Sequence, residues 1–303
     1  VQVEEAMTAA GVESPPRTAV AMYAALGRSA LEFLWLARRG AELAPHVTID
    51  PRSAERWRAA LAAGRGVVIA ASHTGNWDLA ACAIAREVEL LVVTKRLSVA
   101  SSDRFWQSTR AREGVTLAGA EGALARGREV LRRGGAVAMM IDQAPSSRRH
   151  AIGIEFLGRP ALADRAPAAL AAAARSPLVV AAARRAASGT HVLEVLRVIE
   201  PPTSKLARSW IAHATASAAQ ALEAFVRAHP DQWLWLHRRW KHPAADLRPA
   251  VDAEASRTTD AEASRATETA PAPGVDPAAR AATLAPAWSK IRSSSRGEAS
   301  KAG

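Results

Sequence analysis

The chain has 303 residues, 40 Lys and Arg against 29 Asp and Glu, a net charge of +11 and one cysteine. The lone Cys82 excludes a disulfide framework, no Cys/His cluster has zinc spacing, and this cysteine usage fits a reducing, cytosolic or cytosol-facing setting. A mean hydropathy of −0.05, with no uninterrupted apolar run of about 18 residues, excludes a polytopic membrane protein.

Residues 17–39 are the most apolar stretch, yet Arg17, Ala21, Arg28, Glu32 and Arg39 recur at helical spacing and make one narrow polar stripe. Val20, Tyr23, Gly27, Leu31, Leu34 and Trp35 cover much of the remainder. Such a helix suits a bilayer interface or a groove better than a membrane span, the alternative being an ordinary core helix. No small-residue cleavage site follows it, so it is not a secretory signal peptide.

From residue 66 the pattern alternates between strand and helix. Strands are predicted at 67–71, 90–93, 115–117 and 136–141, with helices at 78–86, 101–112 and 121–133 between them. Further on, 163–175 reads as helix, 178–183 and 191–199 as strands around a Ser188-Gly189 turn, and 204–228 as a long helix ending at His229-Pro230. This order predicts an α/β fold with a mostly parallel central sheet flanked by helices.

Beyond Pro243 the composition turns to Ala, Ser, Thr, Pro and Glu, with a tandem octad starting at Asp252 and Asp260. A repeated polar octad cannot bury a core, so 244–303 is expected to be a disordered low-complexity tail. The expected organisation is thus an amphipathic membrane-associating region at 1–40, one α/β domain at 41–243, and the tail. The tail carries eight acidic and eight basic residues, so the whole charge excess sits on 1–243. Such an excess suits nucleic acid, an anionic membrane surface, or an acidic substrate or carrier protein.

The chemistry-bearing stretch is Ser-His-Thr-Gly-Asn-Trp-Asp at 72–78, directly after the first strand of the alternating body. Ligands of open parallel sheets bind past the carboxyl ends of strands, where His73 stands. An imidazole is a neutral-pH base, and a carboxylate five residues on, Asp78, can orient it if Gly75 and Asn76 turn the chain back. N–H groups at the following helix start would favour an anion or oxyanion there. Alternatively, His73, Asn76 and Asp78 merely cap a helix. Arg96 and Asp142 follow two other strands, bringing further charge to the same sheet edge. Neither a Gly-x-Ser-x-Gly elbow nor a Gly-rich phosphate loop is present, which implies direct attack by a substrate nucleophile. The Trp- and Arg-rich run at 231–242 fits stacking on bases, a lipid interface, or closure of the core by Trp233, Trp235 and Arg239.

Four motifs together carry a resemblance: 72–78, Ile-Asp-Gln-Ala-Pro at 141–145, Glu-Phe-Leu-Gly-Arg-Pro-Ala at 155–161, and Asp-Gln-Trp-Leu-Trp-Leu-His-Arg-Arg-Trp-Lys at 231–241. In order and spacing they resemble the bacterial lipid A biosynthesis lauroyl and myristoyl acyltransferases over about residues 10–243. The resemblance implies a glycerolipid-acyltransferase-like fold on the cytoplasmic face of the inner membrane, peripheral or held by a single N-terminal anchor. It implies transfer of a fatty acyl chain from acyl carrier protein or coenzyme A to a hydroxyl of a phosphorylated glycolipid, without metal or other cofactor and without nucleic acid. On it, His73 is the general base, Asp78 its orienting acid, and Asp142 the acid of the Asp-Gln motif. The substrate-binding candidates are Asn76, Arg96, Gln143, Arg159, Arg238 and Arg239. Arg96 stands where the family has Tyr-Arg-Pro, here Lys95-Arg96-Leu97. Many members carry an N-terminal span; this chain, beginning at Val1, has only the striped helix, so either its start lies upstream or the enzyme is peripheral. A phosphatidylinositol mannoside or other glycolipid acyltransferase is the alternative activity, and a basic non-enzymatic binder of membrane or nucleic acid the remote one.

Overall fold

The computed structural model describes residues 2–39, 46–95, 97–148, 151–203 and 207–242. Arg96 and the polar tail at 244–303 lie outside these residues. Two helices, α1 (Gln2–Ala9) and α2 (Pro15–Arg39), lead into the alternating body. Its first half comprises β1 (Val47–Ile49), α3 (Pro51–Ala62), β2 (Val67–Ala71), α4 (Trp77–Ala85), β3 (Leu90–Val93), α5 (Ala100–Arg112), β4 (Val115–Ala118), α6 (Ala123–Arg132) and β5 (Ala136–Met140). The second half comprises the hairpin β6 (Ala151–Phe156) and β7 (Arg159–Asp164), then α7 (Ala166–Ala174), β8 (Leu178–Arg185), β9 (His191–Ile199), α8 (Ala207–Ala228) and a 3-10 turn at Pro230–Gln232.

Seven strands form one sheet in the order β1-β9-β8-β2-β5-β3-β4. The five from β8 to β4 run parallel, because the helical crossovers between them return the chain to the same end. β9 is antiparallel to β8, since the short turn through Gly189, at φ 87°, leaves no room for a crossover. The central strands β2 and β5 are buried along nearly their whole length, which explains why they read as continuous apolar runs.

The helix expected over 163–175 begins later, at Ala166, because β7 extends to Asp164. The Asp164 carboxylate accepts from the Ala166 N–H at 2.9 Å and marks the start. The β6–β7 hairpin turns on Leu157 and Gly158, at φ 54° and 72°, the mirror-image backbone that matches strand twist. β1, α3 and this hairpin have no counterpart in the predicted elements.

The core joins the N-terminal helices to the sheet: Met7, Met22, Val137, Leu170 and Leu222 belong to one buried cluster. On α2, Phe33 stacks on Trp106 of α5 with ring centroids 4.8 Å apart. The opposite side of α2 exposes Val20 (70%) and Leu31 (66%), with Tyr23 and Leu34 also open to solvent. By length and composition α2 is apolar enough to cross a membrane, but it spends one face on the protein and leaves its other apolar face uncovered.

Candidate active site

The β2–β5 pairing builds the site. Ala71 and Met140 are opposite one another in that ladder, and the Ile141 N–H extends it by donating to the Ala71 carbonyl at 2.9 Å. Two residues past that pair, each strand delivers a side chain: His73 from β2 and Asp142 from β5. The chain leaves β2 toward β3 on one side but leaves β5 toward β8 on the other, so this edge is the topological switch point at which open sheets hold ligands.

Asp142 is fully buried. Its Oδ2 accepts the backbone N–H of His73 at 2.8 Å, and its Oδ1 lies 2.9 Å from His73 Nδ1. Trp233 adds its indole N–H to Oδ2 at 3.0 Å. Burial alone would raise this carboxyl, yet His73 and the hydrogen bonds from His73 and Trp233 outweigh it and hold it at about 2. An ionised carboxylate only accepts, so His73 Nδ1 carries the proton and Nε2 is left as the basic nitrogen.

The Asp78 carboxylate is hydrogen-bonded to α5 rather than to the His73 ring. Asn76 caps α4, its side chain accepting from the Leu79 N–H at 3.2 Å, so Asp78 falls in the first turn of a helix rather than on a loop folded back to the imidazole. Its carboxylate is held from α5, by Arg110 Nε at 2.7 Å and Trp106 Nε1 at 3.1 Å. The carboxylate in contact with the His73 ring is that of Asp142, supplied by the neighbouring strand.

Asn76 is likewise committed within the protein. It is buried, and its amide donates to Glu32 Oε2 at 2.9 Å and to the Ser29 carbonyl at 3.3 Å. The Gly75 N–H is used by the Gln232 carbonyl at 2.8 Å. The donors expected at the start of α4 are therefore partly occupied. Gly75 sits at φ 54°, and a Cβ there would lie 2.6 Å from the Ala183 carbonyl oxygen, so only glycine fits.

The closing segment after α8 is stitched to this loop. Thr74 and Trp233 form an antiparallel bridge, and the Leu234 N–H donates to the His73 carbonyl at 3.0 Å. Trp233 and Trp235 are buried, with rings 4.7 Å apart, so the Trp-rich run closes the core. Arg239, a substrate-binding candidate on sequence, is buried too, donating to the Gln143 carbonyl at 3.1 Å and to the Leu162 carbonyl. Burial lowers its guanidinium to about 10, and it serves as a cross-link rather than an open anion site. Arg238 beside it is exposed, and Arg159 lies over the Trp240 ring at 4.5 Å. Arg96 is outside the described residues.

Sequence reasoning misses one functional candidate. The His237 ring packs edge-on against His73 at 4.6 Å between centroids, and its Nε2 lies 3.2 Å from Gln143 Nε2. Burial, reinforced by the neighbouring His73, lowers it from 6.5 to about 4, so it is neutral at physiological pH. The aromatic and basic content of the run at 231–242 hides this titratable group inside it. His73, Asp142 and His237 each offer a ligand atom within 4.8 Å of the others, the single such group among the described residues. The Asp142 carboxylate already accepts three N–H bonds, two from His73 and one from Trp233.

A family model described as bacterial lipid A biosynthesis acyltransferase matches residues 13–242. No individual curated protein matches the chain. The match takes in α2, every described strand of the sheet and the segment carrying Trp233 and His237. With the His73–Asp142 pair and the whole α/β body inside the matched span, the chain belongs to the bacterial lipid A biosynthesis acyltransferase family.

Proposed function

We propose that this acyltransferase moves a fatty acyl chain from a thioester, on acyl carrier protein or coenzyme A, to a hydroxyl of a lipid A precursor, with His73 as general base and Asp142 orienting it. The observation that carries the reading is the 2.9 Å contact between His73 Nδ1 and the buried Asp142 carboxylate. His73 Nε2 takes the proton of the acceptor hydroxyl as its oxygen bonds to the thioester carbonyl carbon. The tetrahedral intermediate collapses, the C–S bond breaks, and the proton on Nε2 passes to the departing sulfur. Asp142 stays ionised and stabilises the transient imidazolium. Gln143 and His237 supply polar groups beside the base for the developing oxyanion. Exposed Arg238 and the half-buried Arg159 are the candidates for a head-group phosphate.

The uncovered apolar face of α2, with exposed Arg17, Arg28, Arg38 and Arg39 on the same helix, supports a peripheral attachment in the plane of the cytoplasmic leaflet of the inner membrane. The basic body suits an acidic carrier and a phosphorylated acceptor.

The test is transfer by the purified full chain, with acyl carrier protein or coenzyme A thioesters offered separately and a lipid A precursor in mixed micelles, followed by intact mass. Addition of one acyl mass by the wild type, lost in His73→Ala with circular dichroism unchanged, supports the reading. Turnover retained by His73→Ala overturns it.

A further inference from the structure

Behind the base lies a closed ring of hydrogen bonds that the transfer chemistry does not use. Glu32 of α2 accepts from Asn76 Nδ2 at 2.9 Å and from Arg185 NH2 at 2.7 Å. The Arg185 backbone N–H donates to Gln232 Oε1 at 3.0 Å, and the Gln232 carbonyl accepts from the Gly75 N–H at 2.8 Å. Gly75 is bonded to Asn76, which closes the circuit. His191 of β9 adds Nε2 to Glu32 Oε2 at 2.9 Å, and Ser29, one turn before Glu32 on α2, donates to the Gly75 carbonyl at 3.4 Å.

The ring grips the Gly75-Asn76 turn two residues after His73. That turn sets where the β2 chain goes after the base, and hence where the imidazole stands against Asp142. Misplacing a general base by about 1 Å costs on the order of 10²-fold in rate. Glu32 is on the helix whose far side is the exposed apolar face, so the same helix that meets solvent or lipid on one side holds the catalytic loop on the other.

We infer that Glu32 is a positioning residue for acyl transfer, acting on His73 through the amide of Asn76. This rests on the reaction proposed above. The discriminating variant is a reciprocal exchange: Glu32→Gln with Asn76→Asp returns the hydrogen bond between the two side chains with its direction reversed and keeps the oxygen that faces Arg185 NH1, giving up only the Arg185 NH2 and His191 bonds to Oε2, and the carboxylate introduced by Asn76→Asp still caps α4.

The experiment measures steady-state transfer by the purified full chain in micelles, alongside the 15N-histidine spectrum in which the His73 Nδ1 proton reports its bond to Asp142. Glu32→Gln is expected to lower kcat at least tenfold with both KM values within twofold, and to move the His73 resonance. Asn76→Asp alone, which sets two carboxylates together, is expected to do the same or worse. The double variant is expected to recover at least half of the logarithmic loss and to return the resonance, which a generally weakened fold would not do. Wild-type kcat and an unmoved resonance in Glu32→Gln overturn the inference, as does a double variant no better than either single one. If the wild type fails to transfer acyl groups while the resonance follows the pattern above, the positioning stands and the proposed reaction falls.

Discussion

Ala71 of β2 and Met140 of β5 face one another in the ladder, and that one pairing delivers His73 to Asp142. Parallel neighbours in register carry their next residues out of the sheet side by side. A histidine from one strand and a carboxylate from the next therefore meet without any help from local sequence.

Removing the carboxylate should cost far more in rate than in fold. Loss of the orienting aspartate from a Ser-His-Asp triad lowers kcat about 10⁴-fold by allowing the wrong tautomer. Asp142→Asn, with its amide able to donate to Nδ1, is expected to lose about three to four orders of magnitude in kcat, read by single-turnover acyl transfer.

Asp78→Asn should show the opposite balance. It leaves Arg110, whose side chain is 16% exposed, without the carboxylate 2.7 Å away, and stranding a buried ion-pair partner costs about 3 kcal/mol or more. Thermal unfolding is expected to fall by roughly 10 °C, while kcat measured below the transition stays within about tenfold of wild type. A loss as deep as that of Asp142→Asn, in a protein still folded, would return the orienting role to Asp78.

Trp233→Phe keeps most of the ring packing but withdraws the indole N–H from Asp142 Oδ2. A hydrogen bond to a charged group contributes about 1.5–3 kcal/mol. Urea denaturation should register a loss in that range, and the Asp142 carboxyl should titrate higher.

Acid sensitivity should follow the carboxylates. Burial would raise Glu32, but hydrogen bonds from His191, Arg185 and Asn76 outweigh it and hold it at about 2 against an ordinary 4.5; Asp142 is held at about 2 against 3.8. Both native values lie below the unfolded ones, so the stability they supply is complete above about pH 5 and drains away as pH falls toward 2. Glu32→Gln should flatten the curve of unfolding free energy against pH across that window.

Replacing Leu31 and Leu34 of α2 by Gln removes apolar surface that the protein leaves open. With burial of a leucine worth about 1.5–3 kcal/mol, the double variant should bind anionic vesicles at least tenfold more weakly in sedimentation, with its melting temperature nearly unchanged.

The parallel core is legible because β2, β3 and β5 are short β-branched or apolar runs separated by helical spacings, and His73 and Asp142 are legible as strand-end residues. Their partnership is not, since five residues of sequence separation favour Asp78, and only the cap at Asn76 shows that Asp78 already belongs to a helix gripped by α5. Glu32 reads as part of a polar stripe with Arg17, Arg28 and Arg39. Its partners Arg185 and His191 lie on strands remote in sequence, and no local pattern announces them. The β6–β7 hairpin is hidden by alanines that read as helix from residue 163, whereas the Leu157-Gly158 turn commits that stretch to a strand.

The bridge between Thr74 and Trp233 sets an order of events in biogenesis. All seven strands of the main sheet are synthesised before Trp233, so the sheet can assemble while the loop carrying His73 and Thr74 still lacks its neighbour. A nascent chain clipped before Pro230 would carry every strand of that sheet but neither the indole N–H on Asp142 nor the two tryptophans that close the core.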